Sequence, residues 1–226
     1  MDLGFFNKSK GTLKIMAILS VIAIGVIFYF GTPKTKLPIF NPVDVNPKLV
    51  DPSMKFMRRN HKIARFELVN QNGDTITEKN YEGKIYVADF FFTRCQTICP
   101  VMTKNMHLVQ EAYAKDSKVM ILSHSVTPEM DSVPVLREYA NKKGIDDAMW
   151  NLVTGPKPEI YRLARKSYFA VLDEGDGGDQ DFIHTENFIL VDPKKRIRGY
   201  YDGTEQEDVL RLIEDIKILE REFFED

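Results

Sequence analysis

The sequence predicts an α/β domain that an amino-terminal transmembrane helix holds to a membrane. From Lys62 onward, apolar runs of strand length alternate with stretches of helical periodicity, and such runs are typical of strands covered on both faces of a sheet. Ahead of them, Ile15 to Phe30 carries no charged residue. Between these two parts, five of the eleven prolines fall between Thr32 and His61, which predicts an extended linker.

The apolar run is long enough to cross a bilayer. Gly11 to Phe30 spans 20 residues, and at about 1.5 Å per residue such a helix covers a hydrocarbon core of about 30 Å. No small-x-small cleavage site follows the run, so we expect a retained anchor rather than a cleaved signal peptide. Three lysines lie at its amino-terminal end and two after it, a bias that keeps the short tail inside and the domain outside.

The chain is therefore expected to have four parts. These are a cytoplasmic tail at residues 1–11, a transmembrane anchor at 12–30, a proline-rich linker at 31–60 and one folded domain at 61–226. The protein would span the inner (cytoplasmic) membrane once, with its domain on the periplasmic or extracytoplasmic side, where disulfide chemistry is permitted. The apolar residues expected to lay the linker against the domain are Leu37, Ile39, Phe40 and Val43.

Within the domain, the predicted elements follow a thioredoxin-like order. Phe66–Val69 and Thr75–Thr77 are expected to form a hairpin around Asn72-Gly73, because Asn-Gly supplies the positive φ angles of a tight turn. Further strands are predicted at 85–92, 119–125, 151–154, 188–192 and 197–201, and helices at 99–115, 132–143, 158–167 and 205–221. Strand, helix, strand, helix, then a hairpin and a last helix is a thioredoxin-like arrangement.

The chain's two cysteines, Cys95 and Cys99, lie where a predicted strand gives way to a predicted helix. The positive end of the helix dipole and the unpaired backbone N–H groups there stabilise thiolates, so both sulfurs are candidate nucleophiles or soft-metal ligands. They can also close a disulfide. A purely structural disulfide would close a very short loop and so stabilise the fold little, which favours a chemical role.

A third candidate is His184, in the loop that enters the late hairpin. In a thioredoxin-like arrangement this loop comes close to the helix start that carries the cysteines. Two thiolates and one imidazole form a soft three-coordinate site suited to Cu(I), whereas a structural zinc site usually needs a fourth ligand. The alternative is that His184 is a surface or core histidine, in which case His124, at a strand end, is the substitute ligand.

These motifs resemble the Sco/SenC family. The resemblance rests on Phe-x-x-x-Cys-x-x-x-Cys-Pro from Phe91 to Pro100, on Ser-Val-x-Pro-Glu-x-Asp from Ser125 to Asp131, and on the late His184-Thr185 pair behind a membrane anchor. Members of the family are thioredoxin-fold, membrane-tethered copper proteins that help to assemble the dinuclear copper centre of cytochrome c oxidase subunit II.

The resemblance implies a ligand set and a partner. Cys95, Cys99 and His184 match the family's copper ligands, so copper, as Cu(I), Cu(II) or both, is the expected metal. The expected partner is cytochrome c oxidase subunit II or a similar copper acceptor. One position departs from the family pattern, because Thr127 stands where its first aspartate is usual, whereas Asp131 matches the second.

Two mechanisms remain open at this stage. As a metallochaperone, the protein would hold copper on Cys95, Cys99 and neutral His184 and pass it on by ligand exchange, so that binding weakens on acidification. As a thiol–disulfide oxidoreductase, it would use Cys95 and Cys99 as a redox-active pair to reduce the cysteines of a periplasmic target. General oxidoreductases of this fold use Cys-x-x-Cys, which counts against that broader class. A binding domain with dispensable cysteines is a third class.

The charge balance excludes one kind of partner. The chain has 31 basic and 33 acidic residues, a net charge of −2, and no dense basic patch beyond the amino-terminal flank. Nucleic-acid-binding domains concentrate positive charge on one face. We therefore expect no nucleic-acid partner.

Overall fold

A computed structural model describes residues 14–24, 36–46, 48, 50, 56, 59–171, 183 and 185–225. The chain divides into Met1–Lys36 and a larger compact unit, Leu37–Asp226. Residues 14–24 are helical. Among the described residues, none of the helices combines the length and the apolar character needed to cross a membrane. The tail expected at 1–11 lies outside the described residues, as do 12, 13 and 25–30 of the expected anchor.

The strands of the described part of the larger unit form one seven-stranded sheet. They are β1 (Glu67–Asn70), β2 (Thr75–Thr77), β3 (Ile85–Phe91), β4 (Val119–Ser125), β5 (Trp150–Thr154), β6 (Asn187–Val191) and β7 (Ile197–Asp202), in the spatial order β2-β1-β5-β4-β3-β6-β7. The strands β3, β4 and β5 are parallel to one another, and the other neighbours pair antiparallel. The four strands β4-β3-β6-β7 are the thioredoxin-like core, which confirms the predicted α/β, thioredoxin-like fold of the domain.

The larger unit has four helices within the described residues, of which three connect strands and the last follows β7. They are α1 (Ile98–Tyr113), α2 (Val133–Lys143), α3 (Lys157–Lys166) and α4 (Gln206–Phe223), with 3₁₀ turns at Pro42–Asp44 and Glu78–Tyr81. The α1 stripe of Met102, Met106, Val109 and Tyr113 is buried, as its helical spacing predicts. Helix α2 ends at Gly144, whose φ of 71° is the left-handed conformation that glycine adopts most readily.

The two faces of the sheet contact different residues. Neighbouring side chains along a strand point to opposite faces of the sheet, so the face on which one side chain lies determines the face of the next. Trp150 contacts His107 of α1, at 5.4 Å between ring centroids, and donates a hydrogen bond to Ser123 of β4 over 2.8 Å. The next residue, His124, contacts Phe66 and Tyr168 on the other face.

The hairpin of β1 and β2 is confirmed, but its turn differs from the expected one. Only Gly73 has a positive φ, of 83°, and Asn72 does not. The Gly73 amide donates to the Asn70 carbonyl over 3.0 Å, and the Asn70 side chain accepts from the amides of Asn72 and Asp74. The loop between β1 and β2 is therefore longer than a two-residue Asn-Gly turn. The backbone carbonyl and the side chain of Asn70 accept the hydrogen bonds that hold this loop.

The start of the predicted linker packs on the domain, although not through all the expected residues. Phe40 forms a bridge to Ile197 at the start of β7, and Leu37 is partly buried against the core. Ile39 and Val43 are 40% and 46% exposed, so the prediction that they pack on the domain is wrong. Besides its apolar residues, a backbone bridge and hydrogen bonds to the carbonyls of this segment hold it on the domain.

A buried ion-pair cluster around Arg198 also holds this segment on the domain. Arg198 donates to the carbonyls of Leu37 and Pro38 over 2.8 and 3.0 Å. The same guanidinium is paired with Asp192 at 2.9 Å and with Glu222 at 2.7 Å, and its side chain is 1% exposed. Because a guanidinium offers five donors in a fixed fork, one side chain can hold two carbonyls and two carboxylates at once.

Candidate functional site

The two cysteines lie where β3 passes into α1, as predicted. Cys95 is in the connecting loop and is half-buried, whereas Cys99 is in the first turn of α1 and is 3% exposed. Both are free thiols. The Cys95 amide donates to the Phe92 carbonyl over 3.3 Å, which closes the turn after β3. Pro100 then fits the first turn of the helix, where a missing N–H costs nothing.

The two sulfurs have opposite electrostatic environments. Burial opposes ionisation of Cys95, but the Cys99 backbone N–H donates to its Sγ over 3.3 Å, and this bond, with the contact to Thr97, lowers the pKa of Cys95 to about 7. Burial, the largest effect, and the neighbouring Cys95 sulfur together raise the pKa of the Cys99 thiol to about 12. Near neutral pH the site therefore combines an accessible thiolate with a buried thiol.

A buried carboxyl group that the sequence analysis did not identify lies beneath the site. Asp89 of β3 is 4% exposed and accepts a hydrogen bond from Ser123, which in turn accepts the Trp150 indole N–H. Burial raises the pKa of Asp89 to about 7, and its charge contributes to the raised pKa of Cys99. An aspartate within an otherwise apolar strand was the signal that could have revealed it.

The residues that directly follow His184 are held in place by hydrogen bonds. His184 itself lies outside the described residues. Thr185 donates to the Ala170 carbonyl over 2.9 Å, and the Glu186 carbonyl accepts the Gly203 amide over 2.7 Å. The Gly203 carbonyl accepts from Asn105 of α1 over 2.9 Å. Two hydrogen bonds thus join Glu186, two residues after His184, to the helix that carries Cys99.

His124 does not lie beside the cysteines. It is fully buried on the sheet face opposite α1, stacked on Phe90 with ring centroids 4.8 Å apart, and its Nδ1 is 3.2 Å from the Asp89 carbonyl. Its Nε2 has no hydrogen-bond partner among the described residues. Burial lowers the pKa of His124 to about 4. The expectation that His124 could replace His184 as a ligand is therefore wrong.

The other histidines have structural partners. The Nε2 of His61 is 2.8 Å from the Ser167 carbonyl, and Nδ1 of His107 is 3.3 Å from the Gln110 amide nitrogen. Within the described part of the chain, no group of three or more His, Cys, Asp or Glu side chains is arranged to hold a metal ion. Cys95 and Cys99 are thus the soft-metal donors that the described residues bring together.

The sequence is similar to one family of known proteins. Residues 55–219 match the SCO1/SenC family. The SCO1 protein homolog of Bacillus subtilis (strain 168) is 34% identical over 160 residues, which are 70% of this chain and 82% of that protein.

Two solved structures add detail about relatives. BsSco, described as a member of the Sco family of cytochrome c oxidase assembly proteins with a disulfide switch, is 32% identical, with a TM-score of 0.57 over 69% of this chain and 93% of that one. ScoI of Bradyrhizobium japonicum, solved with copper bound, is 26% identical, with a TM-score of 0.54 over 68% of this chain and 98% of that one. The sequence match and the fold agree, and the chain belongs to the SCO1/SenC family.

Proposed function

We propose that this protein is a membrane-tethered copper metallochaperone that binds copper through Cys95, Cys99 and His184. It delivers the metal to, or prepares, the dinuclear copper site of cytochrome c oxidase subunit II. The observation that carries the proposal is the meeting of two free thiols at the start of α1, where the Cys99 amide donates to the Cys95 sulfur. The copper bound in the related ScoI structure and the assembly role described for BsSco support it.

The donor set suits copper chemically. Thiolate sulfur is a soft ligand that favours Cu(I) over harder ions, and an imidazole nitrogen completes a three-coordinate site. Copper must displace the proton of Cys99, because burial keeps this thiol protonated at neutral pH. Cys95 is close to half-ionised at pH 7 and is less buried than Cys99, so it is the donor that we expect to meet incoming metal first.

His184 is proposed as the third ligand on the support of its neighbours. The described residues that follow it are tied to α1 through Glu186, Gly203 and Asn105. A loop fixed to the cysteine helix by hydrogen bonds is suited to present a nitrogen donor to the same site.

The membrane placement belongs to the same proposal. We place an anchor at residues 12–30, a linker at 31–60 and the copper-binding domain at 61–226, in a single-pass protein whose domain lies on the periplasmic side of the inner membrane. The uncharged run Ile15 to Phe30 and the lysines around it support this arrangement. A tethered domain would keep the copper site near membrane-bound oxidase subunits.

A second function, thiol–disulfide exchange, is favoured by the inequality of the two thiols. The Cys95 thiolate would attack a target disulfide, forming a mixed disulfide and releasing one target thiolate. Cys99, after losing its proton to solvent, would attack the Cys95 sulfur, releasing the second target thiolate and leaving a Cys95–Cys99 disulfide. The low pKa of Cys95 and the burial of Cys99 suit these two roles, and BsSco is described as having a disulfide switch.

Anaerobic copper titration of the reduced full-length protein in detergent tests the proposal. X-ray absorption on the loaded protein is expected to show two sulfur ligands and one nitrogen ligand, with the nitrogen lost in His184→Ala. The matched control is His107→Ala, a half-buried histidine on α1, which should keep the nitrogen. No tight copper binding by the wild-type protein would overturn the metallochaperone function and leave thiol–disulfide exchange as the function to test.

A further inference from the structure

One buried carboxylate connects the cysteine loop to the loop that follows β4. Asp131 is fully buried, and its carboxylate accepts four hydrogen bonds. The Thr93 hydroxyl donates to Oδ1 over 2.5 Å and the Thr93 amide to Oδ2 over 3.3 Å. Ser125 and Thr127 donate their hydroxyls to Oδ2 over 2.6 and 3.0 Å. All four of these donors are neutral groups.

These contacts hold the cysteine loop at one point. Thr93 is two residues before Cys95 and lies inside the turn that the Cys95 amide closes onto Phe92. Ser125 is the last residue of β4, and the next amide, that of Val126, pairs with the Phe91 carbonyl over 2.8 Å. The carboxylate thus fixes the loop to the end of the neighbouring strand, at a residue inside the turn that presents the Cys95 sulfur.

A carboxylate suits this position. It is an acceptor with about four lone-pair sites, so two oxygens can serve donors from both loops. An asparagine in its place would keep one acceptor oxygen and turn an amide NH₂ group toward hydroxyl donors. The buried carboxylate has no compensating cation among these four partners, so its desolvation is offset only as long as the donors stay in place.

Thr127 fits this arrangement. Its hydroxyl supplies one of the four donors to Asp131, and its amide donates to the Ser125 hydroxyl over 3.2 Å. A second carboxylate at residue 127 with this side-chain direction would face the Asp131 carboxylate and repel it. The threonine at residue 127 therefore strengthens the hydrogen-bonded group around Asp131.

We infer that Asp131 is a positioning residue for the cysteine pair, holding the Cys95 loop in the geometry in which the Cys95 sulfur meets the Cys99 amide. The inference deepens the proposed function, because a loosened loop would lose the preorganised sulfur donors. It also applies to the thiol pair alone, since all four hydrogen bonds to Asp131 come from protein donors. Asp131 touches neither sulfur through these contacts and acts through Thr93.

The test compares full-length wild-type protein with Asp131→Asn and with the matched control Asp147→Asn. Asp147 also accepts side-chain hydrogen bonds, from Gln71 and Arg137, but neither of these partners belongs to the cysteine loop. We expect Asp131→Asn to speed deuterium uptake in the peptide covering residues 92–99 and to weaken Cu(I) affinity by about 10- to 100-fold, the usual effect of losing an outer partner of a metal ligand. The control should change neither.

Two readouts separate this inference from the proposed function. Unchanged deuterium uptake at residues 92–99 in Asp131→Asn overturns the inference, whatever copper does. Faster uptake there in a protein whose wild type binds no copper supports the inference and overturns the metallochaperone function. If Asp131→Asn does not fold, Thr93→Val removes only the hydroxyl donor, and the same local increase in uptake is expected; its absence again overturns the inference.

Discussion

The backbone amide of Cys99 donates a hydrogen bond to the sulfur of Cys95 across 3.3 Å. The first turn of α1 thereby stabilises negative charge on one sulfur while burying the other. The cysteines are consequently unequal before any metal or target arrives, with a pKa of about 7 for Cys95 and about 12 for Cys99. This inequality gives the pair a defined order of reaction.

The first prediction concerns thiol reactivity. In the reduced protein at pH 7, iodoacetamide should modify Cys95 well before Cys99, because only the thiolate is nucleophilic. The rate at Cys95 should level off above a midpoint near pH 7, set by its pKa of about 7, and fall about tenfold per unit well below it. Mass spectrometry of quenched samples from pH 5 to 9 measures both sites. Equal rates at the two cysteines would contradict the unequal environments.

The second prediction concerns acid stability and His124. Its folded pKa of about 4 lies below the unfolded value of about 6.5, so the unfolded chain binds a proton that the folded chain does not. Stability from this group is present above pH 6.5 and is lost as the pH falls toward 4. The loss is about 3 kcal/mol by linkage. Urea denaturation of wild type and His124→Leu should show the wild type losing this much relative to the variant.

The comparison between the two proteins removes an opposing effect. Burial raises the pKa of Asp89 to about 7, above its unfolded value, so its contribution is present below about pH 4 and is lost as the pH rises through 7. Both proteins retain Asp89, and the difference between them reports His124. Parallel stability curves from pH 7.5 to 4 would show that His124 is not held neutral in the folded protein.

Much of the fold could be predicted because its elements have local signals. The bounds of β4 agree with the predicted 119–125. Helix α2 begins one residue after the start of the predicted 132–143 and ends where predicted, before Gly144. Strand β3 ends one residue earlier than predicted, at Phe91. The thioredoxin-like order followed from these elements without any tertiary information.

The site was predictable only where it is contiguous in sequence. The cysteine loop was found because a strand, two cysteines and a helix start follow one another. The face that His124 occupies was not predictable, because every residue of β4 is buried and the alternation that marks the two faces is absent. Likewise, the partners of Asp131 come from two loops that meet only in the folded chain.

The third prediction concerns the buried arginine that holds the linker segment. Arg198→Ala should lower the free energy of unfolding by about 3 kcal/mol, because it leaves the fully buried Asp192 with one cation fewer and frees the Leu37 and Pro38 carbonyls. Urea denaturation measures the loss, and limited proteolysis should detect new cleavage near residues 37–40. The matched control, Lys217→Ala, removes a solvent-exposed ion pair and should cost less than about 1 kcal/mol. Equal costs for the two variants would mean that Arg198 does not fasten the segment.

The fourth prediction concerns Asn105, which links α1 to the loop that carries His184. Asn105→Ala leaves the Gly203 carbonyl without this donor, so we expect a stability loss of about 1 to 3 kcal/mol. If the proposed ligand set is right, copper affinity should also fall about tenfold, since Gly203 holds Glu186 in place.

Asn151→Ala is the matched control for this change. Asn151 is another buried amide, bonded to Asn70 and Tyr81 on the sheet face opposite α1, so its loss should cost similar stability. Its copper affinity should stay at the wild-type value, because none of these partners touches the cysteine helix or the loop after His184. Denaturation curves and competitive Cu(I) titrations on both variants give the comparison. Equal copper affinities in the two variants would show that the hydrogen bonds through Gly203 do not position the third ligand.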